Sequence, residues 1–457
     1  MLASERAFGI QPRVPNDTPG KCAFGMGRGN DMVKATEVFT PNKVPTITYV
    51  QREEQAESKT RDAFAIPNVV VSLSGPSKSG KTVLINKVVE RDHLITISGA
   101  SIRQPDDLWS KVLGWMDVPY PDSMTSSKKI GADLKAGASG EAGVILAKAK
   151  AEGSAALSGE MATATTSKFT PNPLDNVAKE IADSSFVVFV DDFHYITKEI
   201  QIDIGRQIKF AAEKGVRICT ASVPHRADDV VRSNPELRGR VQAINLKFWS
   251  NDELRKIADA GFEALNMDIA PAVLNKLIAE AFGSPQLMQT ICLNLCLEKK
   301  IKETLPAQQR IEITADDLDS ILERTSNFMD FISLVEALHS GPKQRGIERK
   351  QYKFRDGSRG DVYRSILLAI ADDPPLLSIT YDEMLRRVGL VILDSEGPTG
   401  SSVAQALVQM GNIADLIQPS HGVIEWDENV LDIVDPYFLF FLRSSPIIED
   451  IGRKRFG

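Results

Sequence analysis

The stretch "VSLSGPSKSGKTVLINKVV", Val71 to Val89, leaves few folds open to this chain. An apolar β-prone run enters a loop bounded by Gly75 and Gly80, and a helical pattern leaves it after Lys81 and Thr82. The spacing G-x-x-x-x-G-K-[ST] is met at every specified position and describes a loop that cradles nucleotide phosphates. Glycines let the backbone curl its N–H groups around the phosphates, and the helix that follows turns its positive end toward the same charge. Gly75, Pro76, Ser77, Lys78, Ser79, Gly80, Lys81, Thr82 and Val83 are therefore expected to contact the nucleotide. Lys81 would neutralise the β- and γ-phosphates, and the Thr82 hydroxyl would ligate Mg2+.

At 457 residues the chain exceeds what one hydrophobic core usually supports, so several domains are expected. Strand and helix alternate on both sides of the loop, which implies a parallel sheet covered on both faces. Residues 1–45 are rich in Gly, Pro, Asn and Lys and read as an irregular arm; residues 46–248 read as the α/β core. An Ala/Gly/Ser-rich insertion at about 125–170 interrupts that core, either as a hairpin around Glu152 and Gly153 or as a flexible loop. From 249 to 340 apolar residues recur at three and four spacing, a helical domain. Residues 341–457 begin with a basic linker and continue as three helices closed by a strand pair, the outline of a winged helix.

A net charge of −7 excludes a wholly basic nucleic-acid binder. Cys22, Cys219, Cys292 and Cys296 form no Cys-x-x-Cys pair, and Cys292 and Cys296 read as buried positions one helical turn apart. No apolar run approaches the about 20 residues that cross a bilayer, so the expectation is a cytoplasmic protein without membrane contact.

A second half of the site is expected where an apolar strand ends in acids, and "FVVFVDDFH" supplies it. Asp191 would hold the Mg2+, and Asp192 would orient or activate the attacking water; the alternative is a helix cap after a buried strand. "RICTAS" is a further buried strand whose Thr220 and Ser222 either reach between acid and γ-phosphate or only begin the next loop.

"YVQRE", "DDFH", "ELRGRV" and "FGSPQL" follow one another in this order, with the winged-helix outline last. Over roughly residues 45–445 the chain resembles AAA+-type ATPases of the STAND and origin-recognition group. The resemblance implies a P-loop NTPase core with parallel sheet, an all-α helical lid and a winged-helix domain, using ATP and Mg2+. It implies that Arg52 and Glu53 lie against the nucleotide, although Gln51 stands where the family has glycine. His194 would sit near the active site, and Pro285, after Gly283, would face the adenine. Arg240, or else Arg238, resembles the arginine finger that completes a neighbour's site, which implies a homo-oligomer or a partner protein. The lid shows no second sensor arginine, which favours the STAND side of the group.

Lys343, Arg345, Arg349, Lys350, Lys353, Arg355 and Arg359, near Tyr352 and Phe354, form either a DNA-contacting strip across 343–359 or a solvated linker. The helix "SSVAQALVQMGNIADLI" is poor in the side chains that read bases. "DPYFLFFLR" reads as core. Three functions fit: an ATP-dependent switch that controls assembly or domain arrangement, a DNA-binding ATPase loader, or a nucleotide-stabilised scaffold with little turnover.

Overall fold

A computed structural model describes residues 32–52, 55–117, 172–223, 234, 237–343, 348–418 and 422–454. The expected insertion, Glu53 and Arg345 lie outside the described residues, as does most of the arm.

Five strands, β1 (Val70–Ser74), β2 (Leu94–Ser98), β3 (Val187–Asp191), β4 (Arg217–Ser222) and β5 (Val241–Asn245), form one parallel sheet in the order β2-β3-β4-β1-β5. Because strand side chains alternate, Val70, Val188, Val190 and Ile218 face one layer while Val71, Leu73, Val187, Phe189, Cys219 and Ala221 face the other. The first layer is built from α4 (Asp107–Trp115), α5 (Pro173–Ile181) and α6 (Lys198–Glu213), the second from α2 (Ala56–Ala65) and α3 (Lys81–Val88). Burial on both faces explains why these strands are nearly continuous apolar runs.

The described end of the arm, from Met32, holds one short ordered element. Ala35–Val38 is a short helix, α1, and Phe39 is fully buried with its ring 5.3 Å from that of Phe262. Next come α7 (Asn251–Ala264), α8 (Pro271–Glu280), α9 (Pro285–Glu298) and α10 (Ala315–Ser326). Ser250 and Glu253 form a capping box that starts α7, and Thr314 and Asp317 do the same for α10. This region is not wholly helical: β6 (Met267–Ile269) and β7 (Gln309–Ile311) pair in parallel inside it. Cys292 and Cys296 are both buried, as expected of core positions on α9.

The last unit contains α11 (Ile332–Ser340), the ribbon β8 (Tyr352–Lys353) and β9 (Arg359–Gly360), α12 (Val362–Ala371), β10 (Ser378–Thr380), α13 (Tyr381–Val391) and α14 (Gly400–Ile417). It closes with β11 (Ile424–Asp427), β12 (Val430–Ile433), α15 (Pro436–Ser444) and α16 (Ile447–Lys454), with β10-β12-β11 as an antiparallel sheet. The "DPYFLFFLR" segment is α15, and Phe438, Leu439, Phe440, Phe441 and Leu442 are all buried. Phe438 meets Phe331 edge-to-face at 5.7 Å and Phe440 meets Phe282 likewise at 6.4 Å, so one apolar core runs across the boundary expected at 340. Among the described residues no helix is long and apolar enough to cross a membrane.

Candidate nucleotide-binding site

The phosphate loop joins β1 to α3 at the carboxyl ends of the strands, where open α/β sheets collect ligands. Gly80 has φ +93°, a left-handed value at the N-cap of α3 that glycine adopts without penalty. Lys78 takes the left-handed region as well, with φ 60°, at a cost its side chain does not avoid. The Lys81 ammonium is folded into the loop, donating to Gly75 O at 2.8 Å and Pro76 O at 3.0 Å, and the residue is 8% exposed. Burial lowers its pKa to about 8, against the opposing pull of Asp191 and Asp192.

Asp191 ends β3, two strands away from β1 because β4 lies between them. There Thr82 Oγ1 donates to Asp191 Oδ2 at 2.7 Å, so two hard oxygen groups separated by 109 residues converge beside Lys81. That donor set suits Mg2+, which takes few protein oxygens and keeps phosphate and water as its other ligands. The residues also fit phosphate: Ser79 Oγ, on a residue 2% exposed, has no hydrogen-bond partner among the described residues. The backbone of Asp192 turns into the left-handed region, φ 54° and ψ 47°, which directs the chain out of the sheet along the same cleft.

A cleft of about 490 Å³ extends from the loop and is lined by Ser77 to Leu84, Asp191, Asp192, His194 and Tyr195. Such a volume lies within the usual range of small-molecule sites, about 300–1,000 Å³. From the helical region Trp249, Ile257, Pro285, Gln286 and Gln289 line it; Asp435 contributes from the last unit. Pro285 opens α9, where the Ser284 hydroxyl caps Leu287 N. His194 is 9% exposed and stacks on Tyr195 at 4.2 Å.

Arg52 takes a bracing position. Its guanidinium donates to Ser79 O at 3.3 Å and Lys247 O at 2.5 Å and lies 5.2 Å over the Trp249 ring. Trp249 Nε1 donates to the same Ser79 carbonyl at 2.9 Å, so two side chains hold the loop's shape from outside. Sequence reasoning missed Trp249, as well as the segment Thr40 to Val50 that walls the cleft. The only signal for Trp249 was its place between the last sheet strand and the first helix of the helical region.

Two expected catalytic residues are not in the cleft. Thr220 pairs with Ser72 and Val190 inside the sheet, is 1% exposed and does not line the cavity; Val223, beyond the strand end, does. Arg240 precedes β5, at the opposite end of the strands, and its side chain, 44% exposed, is ion-paired with Glu213.

Loop, acid strand and sheet order define a P-loop NTPase core with a parallel sheet, followed by a helical region. No family model and no curated protein matches the chain. Similar solved structures include Cdc6p from Pyrobaculum aerophilum, at 14% identity and TM-score 0.41, covering 92% of this chain and 100% of that one. A Walker-type ATPase of Pyrococcus abyssi is similar at 13% identity and TM-score 0.46, covering 87% and 100%. The Aeropyrum pernix ORC2 protein is similar at 12% identity and TM-score 0.47, covering 92% and 98%. These are likenesses of chain path.

Proposed function

We propose that this chain is a cytoplasmic ATP-binding and ATP-hydrolysing switch of the AAA+ and STAND kind, whose nucleotide state sets domain arrangement and assembly. The observation that carries this reading is the Thr82–Asp191 pair at 2.7 Å beside the buried Lys81. In this reading Thr82 and Asp191 would hold Mg2+, which when bound would supply charge to screen the phosphates; Lys81 would exchange its loop carbonyls for phosphate oxygens, and Asp192 would orient the attacking water. Arg52 and Trp249 keep Ser79 O turned away from the phosphates.

The last unit is read as a winged helix on the basis of α12, α13 and α14 followed by the β11–β12 strand pair, to which β10, between α12 and α13, adds a third antiparallel strand. Lys78, in the loop, lies 5.9 Å over the ring of Tyr437, and Asp435 lines the cleft, so the charge bound in the loop is felt by α15. Arg240, exposed and far from its own chain's cleft, suits a group that completes a neighbour's site after leaving Glu213. Light scattering should give a larger particle with a non-hydrolysable ATP analogue and Mg2+ than with ADP. Equal masses at concentrations that saturate both ligands would sink the assembly reading.

The DNA reading loses part of its strip. Arg349 donates to Asp361 Oδ2 at 2.7 Å and Ser340 O at 2.9 Å and lies 4.6 Å over Tyr363, while the Asp361 side chain is 3% exposed. Arg349→Ala would leave that carboxylate buried without its cation, a loss of about 3 kcal/mol. Chemical denaturation should show this loss with little change in nucleotide affinity. Lys343, Lys350, Lys353, Arg355 and Arg359 are exposed, and they are the cations that a duplex-binding test should neutralise.

A further inference from the structure

We infer that Gln289 selects the base of the nucleotide, favouring adenine over guanine through an amide that cannot turn round; the inference rests on the nucleotide reading of the cleft. Gln289 lies one helical turn after Pro285 on the same face of α9, lines the cleft, and is 4% exposed. Its Oε1 accepts from Thr40 N at 2.7 Å and lies 3.2 Å from Thr48 Oγ1, whose single proton it shares with the nearer Val38 O. A backbone N–H can only donate, so the atom facing Thr40 is the carbonyl oxygen and the orientation of the amide is settled by chemistry. Thr48 is itself 1% exposed and held 2.9 Å from Val38 O, and Gln286 Nε2 ties the same lid helix to Asn42 Oδ1 at 3.0 Å. The anchor is therefore fixed on both sides.

With Oε1 occupied, the Nε2 group is a donor without a partner among the described residues, and it belongs to a side chain that opens on the cavity. The same cleft is lined by Val44, Pro45, Ile257 and Pro285, apolar side chains suited to the faces of an aromatic ring. A fixed donor matches an adenine ring nitrogen. Guanine carries N–H at N1, and two donors facing each other would both go unsatisfied, which discriminates by about 10- to 100-fold.

Gln289→Glu tests this because a carboxylate still accepts from Thr40 and Thr48 but presents an acceptor to the cavity. Calorimetry with Mg2+ and ATP, GTP or inorganic tripolyphosphate gives the comparison. The wild type should prefer ATP over GTP by at least about tenfold, and Gln289→Glu should lower that ratio at least about tenfold, with tripolyphosphate affinity unchanged. Gln289→Met, which removes anchor and donor together, should bring the ratio toward one and serves if the glutamate variant does not fold. A ratio unchanged within about twofold in a folded variant, or equal ATP and GTP binding by the wild type, overturns the inference while the phosphate site stands. Failure of the wild type to bind any of the three ligands overturns the nucleotide reading itself.

Discussion

Lys81→Ala should weaken Mg2+-ATP binding by about 100-fold and remove hydrolysis, because the variant loses a charged hydrogen bond worth about 3 kcal/mol in a buried site. The side chain is well placed for that loss: it is 8% exposed and points at the loop's own carbonyls, so alanine leaves the fold of the loop to Arg52, Trp249 and the glycines. The same lysine sets a pH dependence. In the free protein burial holds its pKa near 8, whereas phosphate oxygens favour the ammonium, so nucleotide binding takes up protons as the pH passes about 8. Affinity should therefore fall as pH rises from about 8 toward 10. The free protein has the opposite trend in its stability: a lysine whose folded pKa is lowered favours unfolding while the unfolded chain binds more protons, and that penalty fades as pH rises through the same window. Calorimetry in two buffers of different ionisation enthalpy measures the uptake. Equal affinities at pH 7 and pH 9.5, with no proton uptake, would remove Lys81 from the phosphate site.

Gly99→Ala should reduce turnover by about 100-fold while leaving ATP affinity within a few-fold, the effect expected when a catalytic group is displaced by about 1 Å. Gly99 follows β2, and a Cβ there would stand 2.3 Å from the carbonyl oxygen of Asp192 and 3.2 Å from that of Asp191. Both neighbours are backbone atoms at the end of β3, so the strain cannot be relieved by turning a side chain. The backbone after β2 or the end of β3 that carries the acids must shift instead, which changes the spacing between them. Single-turnover hydrolysis with Mg2+-ATP separates the two parameters, and a variant with wild-type turnover would show that Asp192 need not hold its position.

The phosphate loop and the acid strand were legible because each is a local pattern: a spacing set by phosphate geometry, and an apolar run ended by carboxylates. Burial of α15 and of Cys292 and Cys296 was legible for the same reason, since apolar density within a few residues implies core. The depth of Thr220 was not legible because a strand sequence does not say where the sheet ends; Thr220 sits inside the sheet between Ser72 and Val190, and two further pairs with β1, Leu73–Ala221 and Ser74–Ser222, follow it. The bracing of Ser79 by Trp249 spans 170 residues, and the anchor between Thr40 and Gln289 spans 249. No periodicity carries contacts of that range. The arm segment at 35–39 read as irregular because its buried residues are few, and it is ordered by the helical region it packs against.

The sequence by itself determined a glycine-bounded loop between strand and helix, an apolar strand ended by acids and the succession of sheet, helices and terminal strand pair, all of which follow from residue chemistry acting over one or two turns of chain. Only the tertiary structure decided which strand lies between β1 and β3, which glycine lets Asp192 take its place, and which amide faces the far end of the cleft. Those outcomes depend on side chains meeting across a folded core, where packing chooses among partners that the chain order leaves equivalent.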